Sequence, residues 1–422
     1  MKFNGFNEKP VKFMLENGLN VELIYAPTLQ TYVEYDVPLG SIHTAYKIGN
    51  KTHQLKPGIA HFLEHMMYMM KDHDAFEQFH KLGVIANAMT TYRQTTYGVI
   101  GHKNMLEATL YLLEMLETTN FTGERVQAEK SIIKEEIAMY DDEVDTIVQK
   151  KMFDQLIYEH PIKYEITGRK SDISIISAKD LQRVFDHFYT SDKRQLLILG
   201  PIDVEQFKHA LLNYESLITK TKHPVILNND EPKSIKSREE IYHLKINVGV
   251  FNMGIKCILD TKEEKVLFKT ELYMLFLMRM LYDTSTNFQE QMSALNLMID
   301  GFNFNLILED ETLIFMMDVE SDHSFDLKKH VLNQFFSTDN KDLTKEAFIA
   351  LKKAYLGHFM MALDDIENRL FLYGKYQLNG ISLEEAFNLL DGITYQDILD
   401  FKASITKDMF SFSHFIKNDQ NS

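Results

Sequence analysis

The sequence predicts an α+β protein of two similar halves, each an antiparallel-rich sheet covered by helices. Three observations carry that expectation. Strand-like segments cluster ahead of long helical ones in each half, which favours antiparallel sheets with helices on one face over a βαβ series. Helix-start signals recur: Thr122 matches Thr344 at an offset of 222, and Ser177 to Asp180 matches Thr394 to Asp397 at an offset of 217. Between the repeats the hydrophobic pattern dissolves into the polar, turn-rich stretch His223-Pro224, Asn228 to Pro232 and Lys233 to Arg238. The expected division is an N-terminal unit over 1–217, a linker over 218–240 and a C-terminal unit over 241–422.

Taken in order, Val11 to Met14 and Leu19 to Ile24 flank Asn17-Gly18 and predict a hairpin. Tyr32 to Leu39 predicts a further strand. After the breaker Pro57-Gly58, a helix is expected from Ile59 to about Met70. Gly83 to Met89 and Thr95 to Gly101 predict strands. Asn104 can cap a helix to about Thr118, and Thr122 a much longer one to about Tyr158. Ser177-Ala-Lys-Asp180 has the form of a capping box for a helix ending near Tyr189, before the buried strand Leu196 to Leu199. The second half repeats the plan. Tyr242 to Ile258 is strand-like, Glu263 to Tyr282 helical, and Phe302 to Leu308 and Leu313 to Val319 strand-like, with helices from Thr344 and Thr394.

The chain has 422 residues, enough for two or three domains at roughly 150 residues each. Its 61 acidic and 45 Lys and Arg residues leave a net charge of −16. That balance excludes nucleic acid, which needs a basic surface to replace counterions, and a polybasic membrane surface. It is compatible with an acidic cavity that attracts basic substrates. No stretch reaches the ~18 apolar residues of a membrane span. Met1 to Phe6 has no apolar run of the secretory kind, and cytoplasmic residence is the expectation. A single cysteine, Cys257, rules out a disulfide framework and a Cys-rich zinc site. Any metal must therefore be held by His and carboxylates.

The candidate holder is His61-Phe-Leu-Glu64-His65 on the first predicted helix. An i, i+4 spacing puts both imidazoles on one face, one turn apart, where two neutral rings can bind one zinc ion. Glu64 lies on a neighbouring line of that face and could reach a water without being a ligand. This is the inverted form of the His-Glu-x-x-His motif. An ordinary surface helix with polar residues is the competing reading. Ile59, Ala60, Phe62, Leu63, Met66, Met67 and Met69 make the helix apolar nearly all round, and burial would not tolerate two His and a Glu without partners. A third ligand is available in Glu129-Lys-Ser-Ile-Ile-Lys-Glu135-Glu136. Glu129 and Glu136 are seven apart and share a helix face, but spacing alone does not separate Glu135 from Glu136, nor either from a solvated acidic face. His53, His73, His80 and His102 lack a comparable carboxylate set and are expected in loops or on the surface. Met66 to Met70 is expected to be core.

These motifs resemble the pitrilysin/insulinase family of zinc metallopeptidases. The likeness rests on Gly58-Ile-Ala-His61-Phe-Leu-Glu64-His65-Met, on Asn87-Ala-Met-Thr90 through Thr96-Tyr97, on Glu129 to Glu136-Ile-Ala-Met-Tyr-Asp141, and on Gly200-Pro-Ile-Asp203. It covers essentially the whole chain and is densest over 57–205. The resemblance implies a half-clamshell of the mitochondrial-processing-peptidase type, two of which enclose a chamber. It implies one zinc ion per chain on His61, His65 and Glu136, with Glu129 in a supporting catalytic role. It implies that zinc activates a water whose proton Glu64 takes and later passes to the leaving amine. It makes Ala86, Asn87 and Ala88 an edge strand to which a substrate peptide adds as a further strand. The 71 residues from His65 to Glu136 are somewhat fewer than usual, which suggests a loop deletion.

One departure stands out. Many family members carry an Arg and a Tyr in a segment like Leu-Arg-x-x-Gly-Leu-Ala-Tyr of the second half, where they hold substrate. The corresponding stretch, Phe288 to Phe302, has neither, and Arg279 and Tyr282 lie in the preceding helix. The expectation is a zinc endopeptidase for small unfolded peptides, working as a heterodimer whose homologous partner supplies the Arg/Tyr pair. A homodimer is the alternative assembly. The alternative functions are a maturation protease for one leader or pheromone peptide and a non-catalytic structural or binding subunit.

Overall fold

The computed structural model describes residues 9–227 and 230–418. The expectations for the extreme N-terminus and for Asn228-Asn229 lie outside the described residues.

The first half opens with β1 (Val11–Met14), β2 (Asn20–Tyr25) and β3 (Thr31–Val37), then the short β4 (Ala45–Ile48) and β5 (Lys51–Gln54). Helices α1 (Ile59–Met67) and α2 (Ala75–Leu82) follow, then β6 (Ile85–Thr90) and β7 (Thr95–Gly101). Next come α3 (Met105–Glu117), α4 (Gly123–Asp141), α5 (Val144–Leu156), α6 (Lys170–Ile175), α7 (Ala178–Val184), β8 (Gln195–Gly200), α8 (Val204–Leu212) and β9 (Val225–Leu227). The second half runs β10 (Glu239–Leu244), β11 (Val250–Ile258), α9 (Glu264–Tyr282), α10 (Asn287–Ala294), β12 (Asn303–Glu309) and β13 (Thr312–Glu320). It ends with α11 (Ser324–Phe336), α12 (Lys345–Ala362), α13 (Ile366–Leu378), α14 (Leu383–Gly392), α15 (Tyr395–Ser404) and β14 (Phe410–Lys417).

The two large sheets have the same plan. One has the order β1-β2-β8-β3-β7-β6 and the other β10-β14-β11-β13-β12. In each, one pair is parallel (β2 with β8, β10 with β14) and the rest antiparallel. The expected α+β duplication is therefore present over five strands, β2-β8-β3-β7-β6 matching β10-β14-β11-β13-β12, with β1 added only to the first sheet. The outermost strands β6 and β12 are left with one free edge each.

The long helix expected from Thr122 is two helices. Thr122 does cap its start, accepting from the Arg125 N–H. Yet α4 ends at Asp141, and Glu143 is extended before α5 begins. Three acidic residues in a row, Asp141 to Glu143, oppose the negative end of a helix dipole, which weakens any continuation there. The same break recurs in the second half at Leu363 to Asp365, where the Asp365 side chain caps α13 through the Asn368 N–H. Tyr242 to Ile258 likewise divides into β10 and β11, because both pair with β14, from opposite sides. Asn104 starts α3 without capping it: its amide bonds to the Leu82 carbonyl instead.

These breaks allow each half to cover the other. α5 leaves the first half and lies on β11 and β14 of the second sheet. Met152, Phe153 and Leu156 bury there against Ile307, Ile314 and Met316. α13 returns the exchange, lying on β3 and β8, with Leu370 buried among Tyr32, Leu197 and Leu199. A glycine permits each close approach. A Cβ at Gly254 of β11 would meet Met152 Sδ at 2.5 Å, and one at Gly374 of α13 would meet Glu34 Oε1 and Leu197 Cδ1 at 2.9 Å. The sheets are thus covered on both faces, not one: the larger core lies beneath each half's own helices and the smaller beneath the exchanged helix.

The stretch between the sheets is held more firmly than its polar composition predicts. Val225–Leu227 forms β9 and pairs with β4. Glu231 accepts backbone N–H bonds from Tyr158, Glu159 and His160 and pairs with the buried Lys256 at 2.8 Å. A second pin joins the β6–β7 turn to the β12–β13 turn, where Arg93 meets Glu309, and Asp310 at 3.0 Å.

Candidate metal centre

Helix α1 begins at Gly58, whose φ of 79° lies in the left-handed region. Its vacant Cβ position is 2.4 Å from the Thr167 carbonyl oxygen, so only glycine lets the 167–168 segment close over the start of the helix. Phe62, Leu63, Met66 and Met67 are fully buried and anchor α1, and the 66–70 methionines are mostly core as expected. With those residues inward, the remaining stripe turns His61 and His65 toward α4 and β6.

The imidazoles meet edge to face one turn apart, with centroids 4.5 Å apart and planes at 62°. His61 Nε2 lies 3.7 Å from Glu136 Oε1, and His65 Nε2 lies 3.6 Å from Glu136 Oε2. Potential ligand atoms of all three residues fall within 4.8 Å of one another. A tetrahedral zinc with ligand distances of about 2.0–2.1 Å separates its ligand atoms by roughly 3.4 Å, so this donor set fits the ion. Among the described residues it is the one cluster of three or more His, Cys, Asp or Glu that could hold a metal. Glu135, which spacing could not separate from Glu136, faces solvent.

Glu129 sits behind this set, 3% exposed, with Oε1 2.7 Å from His65 Nδ1. The carboxylate accepts a hydrogen bond from Nδ1–H and so turns the Nε2 side of the ring toward Glu136. Burial opposes a charge on His65, but the Glu129 hydrogen bond and the nearby carboxylates Glu129, Glu136 and Glu64 hold its pKa above the ordinary histidine value. His61 behaves oppositely. Burial, then the His65 charge, push it down to about 3, so its ring is the neutral form a metal requires. Glu129 is therefore a positioning group for His65.

Glu64 stands beside the trio. Burial raises its pKa and outweighs the opposing pull of the Thr90 hydroxyl, which donates to its Oε2 at 2.5 Å. Thr90 is the last residue of β6 and is 7% exposed. Motif spacing did not single out its role, although it closes the Asn87-Ala-Met-Thr90 signature. The rest of β6 lies alongside as a sheet edge. Ala86 and Ala88 are half-buried and Asn87 is exposed, with Asn87 Oδ1 accepting from the Ala88 N–H at 2.9 Å.

The other sequence histidines stay out of the site. His53 stacks on Tyr46, His73 bonds to the Tyr111 hydroxyl and His102 to the Leu29 carbonyl. Arg279 and Tyr282 are already engaged. Arg279 pairs with Asp283 at 3.1 Å and lies over the Phe304 ring, while the buried Tyr282 hydroxyl donates to the Val331 carbonyl. Cys257 is buried, and burial raises its thiol pKa to about 12, far from metal or redox use.

Residues 47–170 match the family model described as Insulinase (Peptidase family M16). Over 393 residues the chain is 26% identical to the uncharacterized zinc protease YmfH of Bacillus subtilis, covering 91% of each chain. Over 202 residues it is 28% identical to a mitochondrial-processing peptidase subunit beta of Schizosaccharomyces pombe, covering 46% of this chain and 42% of that one. Among solved structures, an M16-like peptidase from Alicyclobacillus acidocaldarius superposes with a TM-score of 0.91 at 22% identity, covering 99% of this chain and all of that one.

Proposed function

The chain carries a domain of the insulinase (M16) peptidase family, and on that premise we propose that it is a zinc-dependent endopeptidase for small unfolded peptides. The observation that carries this reading is the convergence of His61, His65 and Glu136 beside the Glu64 carboxylate, along the open edge of β6. His61, His65 and Glu136 would hold one zinc ion per chain, which supplies Lewis acidity toward a carbonyl and a water. Ala86, Asn87 and Ala88 would bind an extended peptide by main-chain hydrogen bonds, which accept many sequences but require an unfolded strand. Glu64 then takes a proton from the attacking water as the carbon–oxygen bond forms. It returns that proton to the amine nitrogen as the peptide C–N bond breaks. The Thr90 hydroxyl holds the Glu64 carboxylate in place through both transfers, and Glu129 keeps the His65 ring fixed.

Because Arg279 and Tyr282 are committed to Asp283 and Val331, the substrate-holding Arg/Tyr pair is assigned to a homologous partner chain. A zinc-loaded chain should cleave short unstructured peptides, lose that activity with chelator and gain it on mixing with such a partner. Full activity of the isolated chain would remove the partner from the proposal. No chelator-sensitive cleavage with any partner would remove the peptidase reading and favour a binding subunit.

A further inference from the structure

A cavity of about 360 Å3 opens between the last turns of α4, the middle of α5 and the 163–171 segment. Ile137 on its wall is the residue next to Glu136. A second cavity of about 190 Å3 shares Lys150, Lys163, Tyr164 and Glu165 with the first. It extends to Tyr140, one turn past Glu136, and to Tyr92 in the β6–β7 turn. The two cavities adjoin through those shared residues, and Tyr92 brings the second to the turn that follows β6.

Charge in that cavity is unevenly paired. Lys150 meets both Asp141, at 2.6 Å, and Glu165. Lys170 reaches Asp141 at 3.5 Å. Lys163 and Arg169 make no ion pair among the described residues; the Lys163 ammonium donates one hydrogen bond to the Tyr158 carbonyl and keeps its full charge. Both stand over the same ring, Tyr164, at 5.3 and 5.6 Å from its centroid. Asp154 is the one carboxylate on the wall that makes no ion pair among the described residues. Two cations are thus held at one aromatic ring, with a single such carboxylate in the cavity. The ring restrains their side chains, which lowers the entropy lost when an anion bridges them.

We propose that this cavity is an anion-accepting subsite of the peptide groove, in which Arg169 and Lys163 receive a carboxylate of the substrate. That carboxylate belongs to an Asp or Glu side chain or to a free C-terminus. The inference rests on the peptidase reading above. It also reverses the preference for basic peptides that the net charge of −16 suggests, because the charge of the whole chain does not set the charge of the groove.

The test uses the full-length, zinc-loaded Glu64→Gln chain, which binds without cleaving. The protein has no Trp, so short Trp-bearing peptides report binding by fluorescence anisotropy without background. Three peptides suffice: a neutral one with an amidated C-terminus, the same with one internal Asp, and the same with a free C-terminus. One of the anionic peptides should bind about tenfold tighter than the neutral one, and which one does identifies the source of the carboxylate. The preference should vanish in Arg169→Gln/Lys163→Gln, return in Arg169→Lys/Lys163→Arg, and leave the neutral peptide's affinity unchanged. Equal affinities for all three peptides, or a preference that survives the double Gln change, would overturn the subsite and leave the peptidase reading standing. Failure of every peptide to bind would overturn the subsite alone; the peptidase reading falls only if no chelator-sensitive cleavage is seen with a partner present.

Discussion

The two halves share a scaffold and differ in chemistry. An offset of 218 residues carries Ile85 of β6 onto Asn303 of β12. At that offset His61, Glu64 and His65 fall on Arg279, Tyr282 and Asp283. On the offset of 222 that relates α4 to α12, Glu129 and Glu136 fall on Leu351 and His358. Where the first half holds two imidazoles and three carboxylates, the second has an Arg279–Asp283 ion pair closed over Phe304 and a tyrosine turned into the core. His358 at the Glu136 position is exposed. The lesson is that sheet order and helix placement follow from the apolar pattern. A handful of polar substitutions on an unchanged frame decides whether a half can hold a metal.

The largest expected difference between the halves lies at Glu64. Glu64→Gln should lower turnover about a thousandfold with zinc content unchanged by atomic absorption, and retained turnover would show that the first half owes its chemistry to another group. In the same assay Glu136→Gln should lose zinc and Glu135→Gln should keep it. The exchanged helices give the next largest effect. Leu370→Ala and Leu156→Ala each remove a buried side chain at a mutual contact, and each should cost about 2–5 kcal/mol. Because each helix covers the other half, both should shift one common melting transition in calorimetry, and two separate transitions would contradict the interlock. Glu129→Gln should weaken zinc binding by about 10–100-fold in competition with a chelator. The equivalent Leu351 has no such effect to lose. Thr90→Val should lower kcat about tenfold with KM and zinc unchanged, and Thr90→Ser should restore it; a fall in KM-dependent binding alone would make Thr90 a merely structural residue. The smallest effect is expected in the second half. Asp283→Ala breaks a partly exposed i, i+4 pair and should change stability by about 0.5 kcal/mol or less, with zinc stoichiometry untouched.

Much of the fold was legible because local rules and tertiary needs agree. Thr122, Thr344, Ser177 and Thr394 all cap the helices they announce, through the N–H groups three residues on. The hairpin at Asn17-Gly18 forms in the expected place, with Val11 opposite Leu23. The His61/His65 pair was legible for the same reason, since an i, i+4 spacing means one thing on a helix. The breaks after Asp141 and before Asp365 were not legible. Helical periodicity continues across them; the acidic run Asp141 to Glu143 only weakens the helix locally, and the opposite sheet decides where the chain turns. The polar connection was underestimated because Glu231 and Val225 gain their partners, Lys256 and β4, from distant segments.

The sequence by itself determined the donor types, the repeat and the absence of a cysteine-based site. Those depend on residue identity and on the helical period, which are local. Spacing left Glu135 and Glu136 open and only the family likeness named Glu136; it is the packing that turns Glu136 and not Glu135 to the histidines, sets Glu129 against the His65 ring and brings Thr90 onto Glu64. Each of these is a contact of a few ångströms between residues 26 to 75 positions apart. Their separation is set by how α1, α4 and β6 pack on a shared core, and no spacing rule along the chain encodes it.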